Sequence, residues 1–200
     1  EIVNNLKNFN IKVIRTIKCK ELQESVSYHP DIVMHPINHN TLIIAPNVFD
    51  YYENELYGLG INLIKGEAIL GCKYPKDIAY NVGRLKDIAI HNFKCSIMIV
   101  DDISGVTADI NIYKRLSELG YNMLLIQPGY IKLYNEIYGF IGGTSGNYYE
   151  NTILLTGKID NHPNYKEIIK FLQKRNKKLV YLSDKDIIDM GTIITLAKNC

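Results

Sequence analysis

The sequence predicts one α/β domain: five ββαβ modules set as a pseudo-symmetric propeller about a central pocket, closed where the two chain ends meet. Three observations predict it. A strand–turn–strand–helix–strand order recurs along the chain. Short β-branched apolar runs alternate with stretches whose apolar residues fall three and four apart. Each end of the chain carries a fragment of one further unit.

The clearest module runs from Lys94 to Gln127. Ser96 to Val100 reads as a strand, Asp101 to Gly105 as a turn and Val106 to Ala108 as a second strand. Asp109 is placed to cap a helix that buries Ile112, Leu116 and Leu119, and Gly120 to end it. Asn122 to Ile126 closes the unit. An earlier module pairs Asp31–Met34 with Thr41–Ala45, followed by a helix near Phe49 to Leu59 and a strand at Ile61–Ile64. A later one runs from the glycine-rich Gly142–Gly146 through a strand at Thr152–Thr156. Its helix spans Asn164 to Asn176 and its last strand Lys178–Leu182.

Two modules are incomplete. Ile187 to Leu196 supplies opening strands only, and the missing helix and strand stand at Glu1–Asn10 and Ile11–Ile14, so the ends are expected to complete one unit. The stretch Tyr74 to Asn92 has a hairpin but no helix before Lys94. A helix and strand need roughly 15–20 residues, so a segment is expected to be missing between 93 and 94.

Composition narrows the function. Apolar content of 46% with 22% charged residues is that of a folded domain rather than a disordered chain. The 23 basic and 21 acidic residues are spread evenly, which argues against a nucleic-acid partner. No apolar run is long enough for a membrane helix. Cys19, Cys72, Cys95 and Cys200 form no CxxC pair, so neither a zinc ribbon nor a disulfide framework is expected. A cytoplasmic setting follows as an expectation, and abundant Ile, Asn, Lys and Tyr suit an AT-rich bacterial genome. The residues argue for no cofactor and no metal. His29, Asp31, His35 and His39 are the densest set of possible metal ligands, but the Pro36–Asn38 turn breaks the run, and exposed turn histidines explain His35 and His39. The glycine loop lacks the lysine of a phosphate-binding loop. Its residues, Gly142 and Gly143 among them, let backbone approach the ring axis and offer amides to a ligand. Asp189 belongs to the same axis as a pocket carboxylate. Cys95 reads first as a packed thiol, since cysteine is among the most buried residue types; the active alternative is a nucleophile beside His29.

Lys76-Asp-Ile-Ala-Tyr-Asn-Val-Gly-Arg-Leu-Lys-Asp-Ile-Ala-Ile90 resembles a second-module stretch of the guanidino-group modifying superfamily, which includes arginine deiminases and amidinotransferases. His29-Pro-Asp-Ile-Val-Met34 resembles the first-module stretch, and an uncharacterised clostridial family is similar over nearly the whole chain. The resemblance implies the pentein-like propeller and a small guanidino or amine ligand gripped by Asp31 and Asp77, as bidentate carboxylates suit a planar cation. It also implies a last-module cysteine and a third-module histidine. Ile193 and Cys95 stand at those places, so the ancestral reaction is expected to be lost or rebuilt around Cys95 and His29. The alternative is a binding or protein-interaction module without catalysis.

Overall fold

The computed structural model describes residues 1–66, 85, 94–149 and 151–197. Three ββαβ units lie among them. The N-terminal helix α1 (Ile2–Asn8) is followed by irregular chain and a short helix α2 (Pro30–Val33). The first unit is then β1 (Met34–Pro36), β2 (Thr41–Ile44), α3 (Phe49–Leu56) and β3 (Asn62–Lys65). The second is β4 (Ile97–Asp101), β5 (Ser104–Thr107), α4 (Ile110–Glu118) and β6 (Asn122–Leu125). The third is β7 (Ser145–Tyr148), β8 (Thr152–Leu155), α5 (Tyr165–Gln173) and β9 (Lys178–Tyr181). Each makes a three-stranded sheet whose middle strand pairs antiparallel to the strand before it and parallel to the strand after its helix.

Local chemistry explains these units. The middle strands β2 and β8 read as continuous apolar runs, with Leu42, Ile43 and Ile44 in one and Ile153, Leu154 and Leu155 in the other all buried, while β5 (Ser104–Thr107) is buried throughout with small and polar residues. Each such buried Leu or Ile side chain stabilises the fold by about 1.5–3 kcal/mol. The helices show one apolar stripe, with Ile112 and Leu116 buried on α4 and Ile168 and Leu172 on α5. Asp109 caps α4 as expected, its Oδ1 accepting from the amides of Asn111 at 2.7 Å and Ile112 at 3.0 Å. Gly120, at φ 88°, ends that turn in the left-handed region. Leu119 differs from expectation and is exposed, because the helix stops before its side chain reaches the sheet.

No closed five-module propeller is present among the described residues. Among the described residues the strands make three separate small sheets, with no closed ring between them. Residues 187–196 hold no strand; Ile188 bridges at a single point to Lys132, as does Asp186, just before them, to Lys158. Their amides turn elsewhere instead: Met190 and Thr192 both donate to the Gly143 carbonyl, and Ile193 donates to Ser145. Thr192 sits at φ 72°, a left-handed residue that breaks any extended ladder. Residues 11–14 likewise form no strand. Asp31–Val33 is helical rather than extended because Pro30 at the first helical position, after an extended His29, starts a turn. The stretch from Tyr74 to Asn92, with Asp77 and Arg84, lies outside the described residues apart from Leu85.

The ends still meet, without a shared strand. Leu6 of α1 packs on Leu154 and Leu182 beside Ile193, and Asn5 donates to the Leu182 carbonyl. The Glu1 carboxylate accepts from Ser183 Oγ and the Asp184 amide, both at 2.9 Å. Ile194 and Leu196 pack on the first unit's core, so the C-terminal segment joins the first and third units.

Candidate functional site

Four short pieces of backbone converge where the units meet. His29 and Asp31 stand at the start of α2. Cys95 lies in the 3₁₀ turn Lys94–Ser96 that leads into β4. That turn packs against α2 and against the 3₁₀ turn Gly142–Thr144. Asp189 and Thr192 come from the irregular C-terminal segment, held down by the bonds to Gly143 and Ser145.

Asp31 is the hub. Its Oδ2 accepts from Cys95 Sγ at 2.7 Å and from Thr192 Oγ1 at 3.0 Å. The same Thr192 oxygen lies 3.0 Å from the Gly142 carbonyl. A hydroxyl carries one proton, so it serves Asp31 or Gly142 and not both at once. A β-branched residue at φ 72° is strained backbone, and the two acceptors hold it there.

Asp189 forms the second acidic centre. Its oxygens accept the Phe140 amide at 2.8 Å and the Gly191 amide at 3.0 Å. His29 Nδ1 lies 3.8 Å from Asp189 Oδ1, with both side chains almost wholly buried. Burial pushes the Asp189 carboxyl above its ordinary range; the two amides and His29 pull it down, and the Asp31 charge adds to the rise. Close approach requires the glycines here. A Cβ on Gly143 would stand 1.8 Å from Asp189 Oδ1, and one on Gly191 would stand 2.4 Å from His29 Cβ, at a backbone φ of 79°.

Among the residues expected from sequence, His29, Asp31, Cys95, Asp189, Gly142 and Gly143 come together. Gly142 and Gly143 contribute carbonyls and clearance rather than a phosphate-loop geometry. Asp77 lies outside the described residues. His35 is a correction: it is buried on β1, paired in register with Ile43, because the strand runs on through His35 to Pro36, where a turn was expected. His39 is exposed, as expected of a turn histidine. Cys19 lies away from the centre, bonded to Glu21 Oε2 at 3.2 Å with Asn47 beside it; burial pushes its thiol up. Thr192 is the site residue that sequence reasoning missed. It reads as one more β-branched residue in an apolar run, and no sequence signal marks its left-handed backbone.

One ring nitrogen of His29, a carboxylate oxygen of Asp31 and the sulfur of Cys95 all lie within 4.8 Å of one another. The arrangement has the parts for proton transfer at a thiol, for gripping a cation and for ligating a metal. The fold and centre together define a mixed α/β protein of ββαβ units in which a half-buried thiol meets a buried carboxylate and imidazole. The chain belongs to a family of unknown function (DUF6873), whose model matches residues 1–94 and 93–194. No curated protein and no solved structure matches it. None of the described helices is long and apolar enough to cross a membrane.

Proposed function

We propose that the centre binds a small organic cation, an amine or guanidinium compound, and that Cys95 attacks the central carbon when the ligand is a guanidinium. The observation that carries this is the Cys95 thiol donating at 2.7 Å to a buried carboxylate with an imidazole nearby. A nucleophile, a proton acceptor and a second buried carboxylate then stand within one small volume. Asp31 and Asp189 supply the negative charge that a planar cation meets best in a site from which water is excluded.

In a hydrolytic turn the Cys95 proton passes to Asp31 as sulfur bonds to the guanidinium carbon. The C–N bond to the departing amine breaks, and the amine takes up that proton from Asp31, with the His29 imidazole nearby. Water then adds to the thiouronium carbon, the C–S bond breaks and the thiol regains its proton, leaving an ureido product.

A second reading, binding without catalysis, is favoured by the direction of the same hydrogen bond: a thiol donating to Asp31 serves as a structural partner rather than a thiolate. One experiment separates the two. The intact chain is incubated with arginine, agmatine and related compounds and products are followed by mass spectrometry, for wild type and Cys95→Ser. Turnover lost in the variant while binding persists supports catalysis. Binding without turnover in both leaves a binding protein, and full turnover in Cys95→Ser sinks the nucleophile.

A further inference from the structure

His29, Asp31 and Cys95 offer three different donor types at one point: imidazole nitrogen, carboxylate oxygen and sulfur, each within 4.8 Å of the others. We propose that these three side chains hold a divalent transition metal of the zinc class. Mixed N, O and S donors suit such an ion, whereas magnesium and calcium take oxygens alone. Among the described residues the set is three ligands, the number a zinc-class site uses when its fourth position binds an exchangeable molecule.

The surroundings fit the same reading. A metal-bound imidazole commonly has its other nitrogen turned to a carboxylate that fixes the ring. His29 Nδ1 is buried with no hydrogen-bond partner, and its nearest carboxylate is Asp189 at 3.8 Å. Asp189 is itself fixed by the Phe140 and Gly191 amides, and the Gly191 backbone lies directly against the imidazole. Thr192 orients Asp31 in the same way. Metal bonds of about 2.0–2.3 Å in a tetrahedron put donor atoms roughly 3.3–3.7 Å apart. The sulfur–Oδ2 separation of 2.7 Å must therefore widen by a small side-chain rotation, as the thiol proton that joins them is lost. The balance is simple: the ion binds neutral His29, ionised Asp31 and the Cys95 thiolate, and one proton leaves to solvent.

This goes beyond the organic-cation reading and bears on it, because a thiolate bound to metal is no longer a nucleophile. The test is a titration of the intact reduced chain with Co²⁺. The expected result is a thiolate-to-cobalt absorption band that saturates at one ion per chain, releases one proton and is displaced by Zn²⁺. Cys95→Ser should abolish the band, and Asp189→Asn should weaken binding by about 10–100-fold. No band in the wild type, or a band unchanged in Cys95→Ser, overturns the proposal. If the variants fail to fold, alkylation of wild-type Cys95 mapped by mass spectrometry decides: Zn²⁺ should protect it, and equal labelling with and without Zn²⁺ overturns the site. A cobalt band without binding of any organic cation leaves the metal and removes the organic ligand. The reverse result removes the metal alone.

Discussion

Thr192 holds Asp31 in place with one hydroxyl and a left-handed backbone, which makes the two roles separable by substitution. Thr192→Val removes the hydroxyl and keeps the branching, so whichever of Asp31 and Gly142 it serves loses its donor, at a cost of about 1–3 kcal/mol. Thr192→Ser keeps the donor and should lose much less in urea unfolding. Equal losses would show that the methyl group matters as much as the hydroxyl. Asp189 makes a second prediction. Its carboxyl titrates above the ordinary value of 3.8 because it is buried. As pH rises, the unfolded chain therefore releases this proton first. The Asp189 contribution to stability is greatest below that value, falls as pH passes through the raised folded value, and is level beyond it. Wild type minus Asp189→Asn, followed by unfolding across acidic pH, should show that fall. A difference independent of pH would contradict it. His29, Asp31, Cys95 and Asp189 were all legible in the sequence as chemically capable residues; Thr192 was not, because backbone handedness leaves no mark in residue type.

At the scale of elements, periodicity was informative where one face is apolar and a cap is present. The helix after Asp109 began at the expected place because Ser, Asn and Asp chemistry at a cap is local. Asp109→Ala should cost about 1 kcal/mol, read as a lowered urea midpoint with an unchanged slope; no loss would mean that packing of Ile112 and Leu116 alone fixes α4. The failures have equally specific causes. Asp31–Val33 looked like a strand by its apolar run, and Pro30 turned it into a helix. Residues 187–196 looked like strands by β-branching, and their amides went to Gly143 and Ser145 instead of to a ladder. Hydrogen-bond partners set by distant chain are not written in a local pattern.

At the scale of the molecule, the repeat correctly marked three ββαβ units, and extending it to a closed five-module propeller was an overreach of symmetry. What joins the described parts is the packing of α1 on the third unit and of the C-terminal segment between the third and first. Leu154 lies at the centre of that junction, fully buried against Leu6 and Leu182. Leu154→Ala should cost about 2–5 kcal/mol, and loosening the junction should also lower ligand affinity, since Asp189 and Thr192 sit on the segment it anchors. Lost stability with unchanged affinity would show that the centre is held by its own hydrogen bonds.

The central claim is that a buried acidic centre around Asp31 takes a small organic cation. Its most direct test is thermal unfolding of wild type and Asp31→Asn against guanidino compounds, ureido products and simple amines. A ligand at 100 times its dissociation constant adds about 2.7 kcal/mol, which raises Tm by roughly 5–10 °C in a domain of this size. The account predicts such a shift for at least one cation in the wild type, and its loss in Asp31→Asn. No shift with any cation, or an equal shift in the variant, would contradict it.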